Sequence, residues 1–70
     1  MHWNYRVARK GRWIGVFEVY YDDEGMPVSI SEDSVVPTTS SFEELETLLR
    51  QFTESIRKPI LDCDDFESSG

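Results

Sequence analysis

Most of the side chains that carry protein chemistry are scarce in this 70-residue sequence, which has one cysteine, Cys63, and one histidine, His2. A single cysteine excludes a disulfide within the chain, and one histidine beside the first methionine leaves no Cys/His set for a metal. An unpaired thiol fits a reducing compartment better than an oxidising one. No apolar run is long enough to span a bilayer. Residues 1–12 carry Arg6, Arg9, Lys10 and Arg12 without the apolar core of a secretory leader, so the expected location is cytoplasmic. Gly11, Gly15 and Gly25 do not fall at phosphate-loop spacing. Asp22-Asp23-Glu24-Gly25 lacks the alternating ligands and distal glutamate of a calcium loop. No cofactor is expected.

A chain of this length buries only about 60% of the surface that it exposes when unfolded. Disulfides and metals, the common remedies for a thin core, are ruled out by composition, which leaves self-association or a constant partner. The formal charge is −7, with 14 acids against 7 bases, and it is unevenly placed. Residues 1–12 hold four bases and no acid, whereas residues 13–49 hold nine acids and no base. Such a balance repels nucleic acid at long range and favours basic partners, although it also serves solubility.

The pattern along the chain is of strands followed by a helix. Trp3, Tyr5 and Val7 alternate with Asn4, Arg6 and Ala8, the period of a half-buried strand. Lys10-Gly11 reads as a turn, and Arg12–Asp22 as a second strand that is apolar on both faces and therefore central. Trp13, Phe17, Val19 and Tyr21 point one way, and Ile14, Val16, Glu18 and Tyr20 the other. The acidic turn ending at Gly25 leads to a third strand over Met26–Ser31. Ser41-Phe42-Glu43-Glu44 matches a capping box, and Phe42, Leu45, Leu48, Leu49, Phe52 and Ile56 make one apolar helix stripe ending before Pro59. Ile60-Leu61 adds a short last strand or anchor.

The expected fold is α+β: an antiparallel three- to four-stranded sheet packed on one face by a single helix in the C-terminal half. Residues 1–61 form the domain, and 62–70 an acidic flexible tail. One helix covers one face. The heavier set, Trp13, Phe17, Val19 and Tyr21, is expected inside; Ile14, Val16 and Tyr20 are expected on the far face among Asn4, Arg6, Ala8 and Ser29. An apolar cluster there is a contact surface for a partner or a second copy.

General acid–base and nucleophilic catalysis have no evident carriers. Asp62, Asp64 and Asp65 around Cys63 disfavour its thiolate. The chain is therefore read as no enzyme, with no catalytic or metal residues. Partner-binding candidates are Ile14, Val16, Glu18 and Tyr20, the acidic turn Asp22, Asp23 and Glu24, and the segment Asp62, Asp64, Asp65 with Phe66 as an aromatic anchor. A less favoured set, Arg6, Arg9, Lys10 and Arg12 beside Trp3 and Trp13, has the composition of a nucleic-acid patch, but the tryptophans are expected on buried faces. The same basic hairpin would equally pair with an acidic patch of a second copy.

Trp3-Asn4-Tyr5-Arg6-Val7, Glu18-Val19-Tyr20-Tyr21-Asp22 with Gly25, Glu43-Glu44-Leu45, and Pro59-Ile60-Leu61-Asp62 with Asp65-Phe66 together resemble a group of small uncharacterised bacterial and phage proteins. The likeness covers nearly the whole chain and implies no activity. Three strands followed by a helix opened by Glu43-Glu44 also resembles the N-terminal part of HicB-type antitoxins, acidic modules that neutralise an RNA-cleaving toxin. The sequence departs from that pattern in having no glycine-rich turn before the helix and no DNA-binding segment after it, so the likeness concerns fold. The expected function is a small non-catalytic protein-binding module, an inhibitor-like partner of a basic nuclease or toxin, of the antitoxin or phage anti-defence kind. The alternatives are a self-associating, homodimeric structural or regulatory domain, and a weak nucleic-acid binder through the first hairpin.

Overall fold

Gly11 sets the first hairpin. In the computed structural model, which describes residues 2–66, Gly11 has φ +63°, and it occupies the first central position of a two-residue loop completed by Arg12. No non-glycine residue among those described has positive φ, so the loop has the pattern of a type II′ turn, whose twist suits paired strands. The turn joins β1 (His2–Lys10) to β2 (Trp13–Tyr21), paired antiparallel from Lys10↔Trp13 to His2↔Tyr21. The turn thus lies one residue later than the sequence indicates, and β2 begins at Trp13.

β2 continues through the acidic turn into β3 (Pro27–Ile30). Asp22 closes this turn by itself: its Oδ1 accepts from the backbone N–H of Glu24 and of Met26, both at 2.9 Å, and Gly25 takes φ +79°. A bulge opposite Tyr20/Tyr21 leaves Val28 without a partner on β2, so Met26 and Val28 are exposed and only Ile30 of the expected apolar set is half-buried. Beyond β3 the chain still follows β2, with Ser31 N–H donating to Glu18 O at 2.9 Å and Val35 N–H to Val16 O at 2.7 Å.

Helix α1 (Phe42–Ile56) starts as its sequence indicates: Ser41 Oγ accepts from Glu44 N–H at 3.1 Å. The reciprocal half of the capping box is replaced, since the Glu44 carboxylate accepts from Ser40 Oγ. After Pro59 the chain forms β4 (Leu61–Asp62), parallel to β1 through Ala8↔Leu61 and Arg9↔Asp62. The sheet order is β3-β2-β1-β4. The sheet is therefore mixed rather than wholly antiparallel, because the helix crossover returns β4 in the same direction as β1. A 3-10 turn over Cys63–Asp65 follows, with Asp62 Oδ1 accepting from Asp64 N–H at 2.9 Å. Regular structure thus extends past Asp62, where a loose tail is expected from sequence; residues 67–70 of that tail lie outside the described residues.

The register decides what is inside. Directly paired residues share a face, so Phe17, Val19 and Tyr21 stand with Arg6, Asn4 and His2, and Ala8 with Gly15. Ala8 and Val19 are 0% exposed and Phe17 3%, which makes this the core face. The expectation holds for Phe17 and Val19 and fails for Trp13, which sits at the hairpin tip and is 72% exposed. It also fails for Asn4, Arg6 and Ala8, which an even-membered turn places on the core face.

The helix lies on the β1 side of the sheet. Phe52 meets the Tyr5 ring edge-on, with centroids 5.1 Å apart, and Ser55 is buried with its hydroxyl donating to Phe52 O. The inward line is therefore Leu45, Leu48, Phe52 and Ser55, rotated from the expected stripe. Phe42, Leu49 and Ile56 are left exposed, because the small Ser55 lets the helix close on β1 along that flank. Phe17→Ala is expected to cost about 3–5 kcal/mol, comparable with the whole stability of a domain of this size. Trp13→Ala is expected to shift stability by under about 0.5 kcal/mol. Urea unfolding followed by circular dichroism checks both, and similar losses in the two variants would refute this core assignment.

Candidate functional site

The face opposite the core is built from cross-strand pairs: Trp3↔Tyr20, Tyr5↔Glu18, Val7↔Val16 and Arg9↔Ile14, with Ser29 beside Tyr20 on β3. None of these nine residues is buried. The structure thus brings Ile14, Val16, Glu18 and Tyr20 together as expected. The same turn register adds Trp3, Tyr5 and Val7, which sequence reasoning missed as companions. Their membership was recoverable only from the loop length, since the parity of the turn assigns the faces.

Glu18 is the carboxylate at the centre of this apolar surface. It accepts a short hydrogen bond from the Tyr20 hydroxyl, two residues along the same face. That bond, followed by partial desolvation and the negative charge of Glu18, raises the Tyr20 phenol above its ordinary value of 10.0. The Trp3 and Tyr5 rings meet edge-on with centroids 5.2 Å apart, and Tyr5 in turn meets Phe52. An aromatic ladder therefore runs from the open face to the helix.

Asp22, Asp23 and Glu24 close the end at which β2 leaves the sheet. Arg9, Lys10 and Arg12 surround the tip of the first hairpin, where acids also gather: Asp62 pairs beside Arg9, and Asp33 lines a hollow together with Lys10. Nine residues per strand put these ends about 30 Å apart. Lys10 Nζ donates to Glu32 O, and Arg12 lies over the Trp13 ring at 5.7 Å from its centroid. Arg6 does not join the basic tip. It lies on the core face, donating from Nη1 to Tyr21 Oη (3.2 Å) and from Nη2 to Pro59 O (2.9 Å), with Nε buried and lacking a partner among the described residues. Trp13 is exposed and Trp3 half-exposed, so the expectation that both tryptophans are buried is corrected.

Asp62 pairs beside Arg9 at the outer edge of β1, with Asp64 and Asp65 exposed just beyond. Phe66 is half-buried, and its N–H donates to Cys63 O to close the 3-10 turn. Burial raises the Cys63 thiol above 9.0; Lys10 opposes this, and Asp62 and Asp64 add to it. A shallow cleft of about 240 Å³ runs between β1 and the helix, lined by Trp3, Tyr5, Gln51, Glu54 and Lys58. Among the described residues no group of three or more His, Cys, Asp or Glu could hold a metal ion, and no helix is long and apolar enough to cross a membrane. No protein-family model, curated protein or solved structure matches the chain.

The Tyr20–Glu18 bond has a pH consequence. A phenol held above its unfolded value contributes stability that is present below pH 10.0 and lost as pH rises through the folded value. Glu18→Ala is expected to move the Tyr20 ionisation back toward 10.0. Tyrosinate absorbance titrations, corrected by the Tyr20→Phe variant, check the shift; an unchanged midpoint would refute the bond.

Proposed function

We propose that this chain is a non-catalytic protein-binding module that docks through its open sheet face, acting as an inhibitor-like partner of a basic, nucleic-acid-handling protein. The observation that carries this is a β1–β2 face on which Val7, Ile14, Val16 and Tyr20 surround Glu18 without being buried, while Trp3 and Tyr5 of the same face lie toward the helix, where Tyr5 meets Phe52. A contiguous apolar surface of this kind in a small domain marks a contact site. Aromatic side chains held by strand pairing lose little freedom when they are covered. The net charge of −7 favours a basic partner, and the lone, unpaired Cys63 suits a reducing cytoplasm.

A second proposal has its own supporting observation. The exposed Trp13, cross-strand from Lys10 and with Arg12 over its ring, offers a base-stacking platform at the hairpin tip. Binding of single-stranded nucleic acid there would weaken steeply with added salt and be lost in Arg9→Ala with Arg12→Ala. Binding indifferent to both would exclude it.

The main proposal is tested by affinity capture from the native host with tagged wild-type and Ile14→Glu chains. A stoichiometric basic protein is expected with the wild type, and its recovery is expected to fall at least tenfold with a charge placed on the open face. Recovery of no stoichiometric protein, or equal recovery with both chains, argues against docking through this face.

A further inference from the structure

We infer that the cleft between β1 and the helix takes a short extended segment of a basic protein, added as a strand along the free outer edge of β1. The inference rests on the proposal that this chain binds a basic partner, and it names what that partner inserts and where.

Main-chain direction marks the edge. In antiparallel strands, residues alternate in turning their N–H and C=O toward one neighbour and then the other. On β2, Glu18 O accepts from Ser31 N–H at 2.9 Å and Val16 O from Val35 N–H at 2.7 Å, so both point to the β3 side. Tyr20, of the same alternation, pairs with Ser29 there. Their partners across the first hairpin, Tyr5, Val7 and Trp3, consequently turn their main chain away from β2. β4 takes up this outer edge only beside Ala8 and Arg9. Along Trp3 and Tyr5 no strand follows among the described residues, and the 240 Å³ cleft separates the edge from Gln51 and Glu54 of the helix and Lys58 just past it. A row of N–H and C=O groups turned outward from a sheet is a template for an added strand.

The dimensions suit a strand better than a compact ligand. A pocket for a drug-sized molecule holds roughly 300–1,000 Å³, whereas strand addition needs length along an edge. From His2 to Tyr5 that edge runs for about 13 Å, room for a segment of about four residues. Trp3 and Tyr5 each offer it one main-chain donor and one acceptor. The perpendicular Trp3 and Tyr5 rings, 5.2 Å apart, stand on one face of β1 and Asn4 on the other. Alternate side chains of the segment therefore meet aromatic and amide surfaces.

Charge selects a basic segment. Glu54 and Lys58 oppose each other across from the edge. At its Trp3 end, His2 pairs with Tyr21, and the acids Asp22, Asp23 and Glu24 follow directly. Arg6, the nearest arginine along β1, is turned to the core face and engaged with Tyr21 and Pro59. A second copy has no such segment to insert, because each of its bases lies in the first hairpin, in the helix or at the helix C-terminus.

Amide hydrogen exchange of the whole chain, with the acetylated and amidated peptide Lys-Val-Thr-Val-Lys as probe, tests the inference. At saturation the amides of Trp3 and Tyr5 are expected to exchange about tenfold more slowly, with Asn4, turned toward β2, unchanged. Gln51→Trp, which fills the cleft, is expected to abolish binding, Glu54→Lys to weaken it about tenfold, and Ile14→Glu to leave it as it is. Circular dichroism confirms that these variants remain folded. The same peptide methylated on its central amide nitrogens keeps its charge and side chains, and it is expected not to bind. No protection at Trp3 and Tyr5 up to millimolar peptide overturns the inference, as does equal binding of the methylated peptide or of Glu-Val-Thr-Val-Glu. Protection of Ile30 instead, which assigns the peptide to the β3 edge, overturns it too. So does protection of Trp3 and Tyr5 that rises with the chain's own concentration, which assigns the edge to a second copy. If Gln51→Trp still captures a basic host protein that Ile14→Glu loses, the docking face stands and the inserted segment does not. If the peptide protects Trp3 and Tyr5 while no host protein is captured, the strand site stands and the inhibitor-like role is what fails.

Discussion

The two-residue turn at Gly11–Arg12 fixes the parity of the first hairpin, and the rest of the molecule follows from that parity. Side chains on a strand alternate strictly, so one more residue in the loop would carry Trp3, Tyr5 and Val7 to the face of Phe17 and Val19. The core would then be thick and aromatic, and the far face would hold Asn4, Arg6 and Ala8. With two residues the outcome is reversed. Ala8 and Gly15 form a shallow floor beside Phe17 and Val19, and the β1 aromatics go to the open side. Gly15 is part of this: a Cβ there would come within 3.2 Å of Ser34 Cβ, so the β3–α1 connection lies down on the floor because the residue is glycine.

Arg6 is a second consequence of the same parity. Forced onto the core face opposite Phe17, its guanidinium bonds the Tyr21 hydroxyl and the Pro59 carbonyl, while Tyr21 donates to Asn4 Oδ1 at 2.8 Å. The chain leaving the helix is thereby held across the sheet, just before Leu61 joins Ala8 on the β1 edge. The acceptors around Arg6 are neutral and its Nε is buried without one, so the cluster gives geometric specificity at some electrostatic cost. It takes one of the four N-terminal bases out of the hairpin tip and makes that tip a smaller positive charge than composition implies.

Elements with local signals were legible in the sequence. The Ser41 cap, the helix, the Asp22–Gly25 turn and the strand apolar on both faces all appear where their residues place them. What depended on distant pairing was not legible. The parity of β1 against β2, the parallel docking of Leu61–Asp62 and the bulge that exposes Val28 are settled by a one-residue choice of loop length or by tertiary contact. The helix stripe failed for a related reason. Periodicity weights Phe42, Leu49 and Ile56 by hydrophobicity, whereas close approach to β1 selects the small Ser55 and turns those three outward. Of the candidate site, the residues of β2 could be read directly and their companions on β1 could not.

The excess apolar surface has its origin in the small size of the domain. Ordering a backbone residue costs about 1–2 kcal/mol, and a core of Ala8, Phe17 and Val19 is thin for 65 described residues. A sheet with aromatics on both faces remains competent to gain stability from whatever covers the second. Acids kept off most of that face leave it able to desolvate, with Glu18 alone at its centre and bound to a phenol that travels with it.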